Sequence, residues 1–352
     1  MTASPGRLVP DAVRRHAVVV DLVAGDDRDA ALLRERQQAD LAERYGEPDE
    51  GAFHPEDSVA NVLVREDGVA VAFVAVRDVS GTLDGRGGEH PSGTGEVKRL
   101  YVEPAYRGRG HGRTAMHAAH RRAAAAGLRR LVLETGTLQP ESIDLYLSLG
   151  YVPVESYGHY AGHPLSRCFA LELPRGAEPV RAPGRTSYPV EIRAVAWDDP
   201  DARTLRREMH ETSSAVLYPE LFAGLEAAGG LDAEDERLGH AVVTTLVAYR
   251  DGDAAGCASL RRPAPGAPQD ALEVKKVFVR EGARRTGTAR SLMAGLEDAA
   301  RGHGVSELLL ETGIRQPGAV ALYRSLGFRA VLPFAPYDRG NPVSLCFAKR
   351  LG

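Results

Sequence analysis

Cysteine is scarce in this chain of 352 residues, which holds three: Cys168, Cys257 and Cys346. Three thiols so widely scattered make neither a disulfide framework nor a metal knuckle, so no metal is expected and a reduced compartment is. Charge of one sign is also lacking. A formal net charge of −4 gives none of the basic footprint of a nucleic-acid binder. No apolar run approaches the roughly 20 residues that span a bilayer, so no membrane partner is expected. The N-terminal stretch MTASPGRLVPDAVRRHAVVV lacks an apolar core long enough for a signal peptide before charges interrupt it. Together these readings predict a cytoplasmic protein.

What is present is ordinary globular composition, 43% hydrophobic and 26% charged. At roughly 150 residues per domain, the length suggests two domains. The chain also repeats itself. EVKRLYV at Glu96–Val102 returns as EVKKVFV at Glu273–Val279. The stretch 131–151 returns at 308–328 with 12 of 21 residues identical, no gap, and the same offset of 177. HPLSRCFALEL then pairs with NPVSLCFAKRL. A period this long is domain-sized, far beyond a solenoid repeat. The seam falls in the proline- and glycine-rich stretch 174–189. The expected organisation is a domain over 12–175, a linker over 176–189 and a second domain over 190–352. Residues 80–95, which supply the extra length of the first copy, read as a flexible surface loop.

Within one copy, VANVLVRE and VAVAFVAV flank Asp67-Gly68, a strong two-residue hairpin signal. ALLRERQQADLAERY carries its leucines on a helical period. PESIDLYLSLG has proline near its start and glycine at its end, as helices do. The predicted order is β-α-β-β-β-α-β-α-β-β. That makes an α/β (α+β) fold with a mixed central sheet flanked by helices, repeated in the second copy with ARTLRREMHETSSAVLY as a single first helix.

Between the third strand-like run of each hairpin region and the next helix lies RGRGHG, residues 107–112. Free N–H groups and the dipole at a helix start favour an anion, and glycines let a phosphate reach those amides. The spacing is wrong for G-x-G-x-x-G, and the G-K-[ST] of a Walker loop is missing. Arg107, Gly110 and Gly112 instead fit [RQ]-x-x-G-x-[GA]. The second copy, RRTGTA, keeps that pattern with Arg284, Gly287 and Ala289. Gly108, Arg109 and His111 become Arg285, Thr286 and Thr288, so they read as replaceable.

Together with VKRLYVEPAY and LYLSLGY in one half, and VKKVFVREGA and LYRSLGF in the other, these loops resemble the acetyl-CoA-binding region of the GNAT acyltransferase superfamily, twice over. The resemblance implies an N-acetyltransferase moving acetyl from acetyl-CoA to a primary amine by direct attack in a ternary complex. It places the CoA pyrophosphate on residues 107–112 and 284–289. It places the pantetheine arm beside the preceding strands, near Leu100–Val102 and Val277–Val279.

The resemblance further implies a general base at Glu96 and Glu273 and a general acid at Tyr146 and Tyr323. A surface carboxylate paired with Lys98 or Lys275 is the alternative reading of the two glutamates. Substrate contacts are expected from Arg34, Glu35, Arg207 and Glu208 on the first helices and from the loops holding Tyr160 and Tyr337. The acceptor is a small-molecule or protein amine, and the assembly a monomer or homodimer. Two other outcomes stay open: one silent half, with the second copy the candidate because its loop departs from the fuller glycine pattern, or a non-catalytic acyl-CoA-binding module.

Overall fold

The computed structural model describes residues 16–46, 53–174, 190–338 and 340–352. The expected linker, 176–189, and the expected start of the first domain lie outside the described residues.

The first copy runs β1 (Val18–Leu22), α1 (Arg28–Tyr45), β2 (Ser58–Glu66), β3 (Val69–Asp78), β4 (Thr94–Val102), α2 (His111–Ala125), β5 (Arg130–Gly136), α3 (Pro140–Ser148), β6 (Val152–Val154) and β7 (Ser166–Glu172). Its strands form one sheet in the order β1-β2-β3-β4-β5-β7-β6. β1–β2, β2–β3, β3–β4 and β6–β7 pair antiparallel, and β4 pairs parallel with β5. Asp67-Gly68 forms the β2–β3 turn, with both residues at positive φ. Residues Val71–Val76 of β3 have no exposed surface, so helices cover both faces of this strand. Phe73 and Ala75 pack with Ala30 and Leu33 of α1. Asp27 caps α1 by accepting from the Ala30 N–H at 2.9 Å, and Gly46 ends it in the left-handed conformation.

The second copy runs β8 (Glu191–Val195), α4 (Pro200–Met209), α5 (Ala215–Leu217), α6 (Pro219–Phe222), α7 (Gly230–Gly239), β9 (Val242–Arg250), β10 (Asp253–Arg261), β11 (Ala271–Val279), α8 (Thr288–Gly302), β12 (Glu307–Gly313), α9 (Pro317–Ser325), β13 (Arg329–Ala330) and β14 (Ser344–Arg350). The sheet order, β8-β9-β10-β11-β12-β14-β13, matches the first. Its opening helix corrects the sequence expectation. The single predicted helix stops at Met209 and passes into a π-helical turn, His210–Ser214. There the Thr212 hydroxyl donates back to the Glu208 carbonyl at 2.6 Å. Such back-bonding loosens a helix, and Pro219 then bars its continuation. Among the described residues no helix is long and apolar enough to cross a membrane.

The chain divides into two compact units, one of residues 1–82 with 89–133 and the other of 83–88 with 134–352. Packing therefore groups the end of the first copy with the whole second copy. Residues 80–95 are organised rather than a free loop. Gly81 and His90 bond through the backbone, and Gly158 N–H donates to the Asp84 carbonyl at 2.6 Å. Gly85 lies at φ +71, where a Cβ would come within 2.3 Å of the Gly158 oxygen.

Arg167 of β7 is buried, at 3% exposure, and stands where β14 has Leu345. Its guanidinium donates to the carbonyls of Ser344, Asn341, Pro164 and Ser166 at 2.6–2.9 Å. Asp144 pairs with Arg324 and accepts from the Ala330 N–H, while Glu155 pairs with Arg315 at 2.5 Å. Arg167→Met leaves those four carbonyls without their shared donor. We expect unfolding by denaturant to show a loss of about 2 kcal/mol; a change below about 0.5 kcal/mol would contradict the role.

Candidate active site

A bulge shapes each copy of the strand that precedes the glycine loop. On β11, Lys276 has φ +55, and one residue of β10, Ala258, faces two of β11, Lys276 and Val277, between Cys257–Phe278 and Ser259–Lys275. On β4, Arg99 has φ +60 at the matching place. A non-glycine residue in that region costs about 1–2 kcal/mol, and bulges re-aim strands beside functional sites. The consequence is visible in the parallel pairing. β11 keeps register with β12 only as far as Val274–Leu310, and β4 with β5 only to Glu96–Val132. Beyond those points the backbone of β11, including Val277 and Val279, and that of β4, including Leu100 and Val102, has no strand partner on that side.

The glycine loops follow. Gly110 and Gly287 occupy the N-cap positions of α2 and α8 at φ +89 and +97, and no side chain caps either helix start. A Cβ would meet nothing within 4 Å at Gly108, Gly110 or Gly287, so open space lies over the first-turn N–H groups. This donor set fits a phosphate. Gly112 and Ala289 sit within the helices rather than in the turn.

Arg107 and Arg284 shape the loop from inside. Each Nε donates to the carbonyl five residues back, Val102 at 3.0 Å and Val279 at 3.1 Å. Arg109 and His111, replaceable by sequence, serve the first copy's own packing, since both bond the buried Glu66, at 2.8 and 2.5 Å. In the second copy, Thr286 and Thr288 pair their hydroxyls at 3.0 Å instead. Arg285 takes the left-handed conformation of Gly108, at φ +64. Arg285→Gly is therefore expected to raise stability by about 0.5–1 kcal/mol, since relief of backbone strain exceeds the added unfolded-state entropy; a fall in thermal midpoint would refute this.

In the second copy a cavity of about 420 Å³ opens where β11 and β12 part. That volume is in the range of small-ligand sites. Tyr323 of α9 lines it, and its hydroxyl makes no hydrogen bond among the described residues. Burial pushes its phenol up to about 12, against a downward pull from Lys275. Burial likewise raises Tyr146, with Glu134 adding to it. Gly313 lets the Tyr218 ring lie against β12, since a Cβ there would sit 1.9 Å from its hydroxyl. That hydroxyl accepts from the Arg315 N–H at 2.9 Å.

Neither Glu96 nor Glu273 is a surface carboxylate. Glu273 is fully buried and paired at 2.7 Å with Arg261, its register partner on β10. Glu96 is 2% exposed and paired at 2.6 Å with Arg77 of β3. Tyr337 donates to Glu273 at 2.7 Å and accepts from Lys275 at 2.7 Å. Burial opposes the Lys275 charge, but Tyr337, Glu273 and Glu311 outweigh it and hold its pKa above the usual lysine range.

Three of the four helix charges named by sequence are engaged elsewhere, and for Glu35 no hydrogen bond or ion pair is found among the described residues. Arg34 donates to the Gly25 carbonyl, Arg207 pairs with Asp232 and Glu208 with Arg280. Tyr160 packs on Tyr157 and His159. All three cysteines are buried, and burial raises the thiols of Cys257 and Cys346 to about 12. Sequence reasoning missed Arg261, Glu311, Tyr218 and Glu234 on the cavity wall. For Arg261 a signal existed, because an arginine ends the second hairpin strand in both copies.

Comparison with known proteins gives the family. The family described as acetyltransferase (GNAT) family matches residues 30–151 and again 204–328. An IAA acetyltransferase of Azospirillum brasilense is 42% identical over 106 residues, 30% of this chain and 67% of that protein. Human N-acetyltransferase 8 is 41% identical over 58 residues, 16% of this chain and 26% of that protein. Among solved structures, an IAA acetyltransferase from Bacillus cereus aligns at 19% identity and TM-score 0.34, over 46% of this chain and 100% of its own. The PaiA N-acetyltransferase of Thermoplasma acidophilum in complex with coenzyme A aligns at 15% identity and TM-score 0.36, over 46% and 99%. With both halves matched, the chain belongs to the GNAT acetyltransferase family and is an acyltransferase of two tandem GNAT-type domains.

Proposed function

We propose that this enzyme transfers the acetyl group of acetyl-CoA to a primary amine, and that the second copy performs the reaction. The observation that carries this is the cavity between β11 and β12, with the Tyr323 hydroxyl on its wall and no hydrogen-bond partner for it among the described residues. It argues against taking the second copy as the silent half on the strength of its thinner glycine pattern. The first-turn N–H groups at Gly287–Ala289 would hold the pyrophosphate, and the unpaired β11 backbone near Val277 the pantetheine arm. When bound, the thioester supplies the acetyl group and a thiolate leaving group.

The chain's own residues then move protons. An alkylammonium has a pKa of about 10.4, so the amine must be deprotonated to attack. Glu273 has no surface of its own, but Tyr337 lines the cavity and donates to it at 2.7 Å. The pair can pass a proton inward. Arg261 and Lys275 hold that carboxylate in place. Tyr323 donates a proton to the leaving sulfur, and its raised pKa keeps it protonated at neutral pH. A backbone N–H of β11 can steady the oxyanion as the amine attacks.

CoA release with a panel of amines tests the reading. Acetyl-CoA-dependent release with at least one small amine is expected. Tight CoA binding with no transfer to any amine or protein would replace the enzyme with an acyl-CoA-binding module.

A further inference from the structure

Most charges around the cavity are spoken for. Arg261 pairs with Glu273, Lys275 bonds Tyr337 and faces Glu273 and Glu311, and Glu311 accepts from the Ser344 hydroxyl at 2.6 Å. Two wall residues differ. Lys276 at the bulge and Glu234 on α7 both line the cavity, and neither side chain has a hydrogen-bond or ion-pair partner among the described residues. They stand near enough for Glu234 to act on the lysine's charge, yet form no ion pair. The same wall carries Met209 at the end of α4, Leu221 and Phe222 of α6 and Leu238 of α7.

A partly buried cation with no direct ion-pair partner among the described residues is unfavourable, and this one stands at the strained bulge position, φ +55. The pantetheine arm is uncharged, the pyrophosphate belongs at the α8 N-terminus, and the ribose 3′-phosphate lies beyond the pyrophosphate on the adenosine side, away from the thioester end. None of these calls for a cation at Lys276. The other ligand in the cavity is the acceptor. We infer that the acceptor of the second copy is an amine that also carries a carboxylate, held by Lys276, and an apolar side chain, held by the α4–α7 wall: an apolar amino acid or a close relative. Glu234 then faces the ammonium end before it loses its proton. Burial lowers the Lys276 pKa, so an incoming carboxylate would gain by restoring the favoured charge.

This inference rests on the acetyl-transfer reading, but its test does not depend on turnover. Binding of N-acetyl-L-phenylalanine and of N-acetylphenethylamine, which lacks only the carboxylate, is compared by calorimetry in the presence of CoA. The intact chain should bind the first at least about tenfold more tightly. Lys276→Met should erase that difference, and Lys276→Arg should keep it. Equal affinities in the intact chain, no binding of N-acetyl-L-phenylalanine, or a difference that survives in Lys276→Met would overturn the inference. So would recovery of the acetyl group on Lys276 itself after incubation with acetyl-CoA alone, since the lysine would then be an acceptor. Failure to acetylate any amine would remove the transfer reading, while the binding comparison would still decide the carboxylate.

Discussion

Tyr323→Phe is expected to lower turnover at least about 100-fold while leaving the acetyl-CoA dissociation constant within about twofold. The ring is buried against Phe328, with centroids 5.9 Å apart, so the variant keeps the packing and loses only the hydroxyl. That hydroxyl bonds nothing else among the described residues, so its removal strands no buried partner. The effect should therefore fall on the chemical step and not on stability. The pH profile gives a second readout. The phenol serves as an acid only below its pKa. A pKa near 12 instead of the usual 10 moves its loss upward, so Tyr323 should not reduce turnover between about pH 9 and 11. A loss of activity centred near pH 10 that disappears in Tyr323→Phe would show an unperturbed phenol and count against the buried site. Unchanged turnover in the variant would remove Tyr323 from the acid role.

The duplicated framework is legible because its signals are local. Two β-rich runs around Asp-Gly predict a hairpin, and a glycine loop before an alanine-rich helix and a proline-started helix ending in glycine each predict one element; the loop and the last helix repeat at an offset of 177 and the hairpin at 184. The site is less legible because its features arise from register. The bulges at Arg99 and Lys276 carry no glycine to mark them, since the strain is borne by charged residues. The glutamates at 96 and 273 suggested either a base or a surface pair with the lysine two residues on. Both are buried, and each pairs with an arginine across the strand pair, at the far end of a connection that differs in length between the copies, while Lys275 also stands 3.6 Å from Glu273. The broken helix at His210–Ser214 was hidden because a helical pattern does not show where hydroxyls will compete for carbonyls. That break matters, as it builds the wall facing Lys276.

Gly287→Val addresses the account at its root. The residue holds φ +97 at the N-cap of α8, a conformation that a β-branched side chain resists. No protein atom lies within 4 Å of where its Cβ would be, so the cost is not a clash. It comes from turning the first-turn N–H groups away from the phosphate and filling the space that the phosphate needs. Losing one or two charge-assisted hydrogen bonds, each worth about 1.5–3 kcal/mol, corresponds to about 100-fold in affinity. The deciding measurement is kcat/KM for acetyl-CoA, read as CoA release, in Gly287→Val against the unaltered chain. A fall of about 100-fold is expected if the second copy does the work; an unchanged value would contradict the claim that it does.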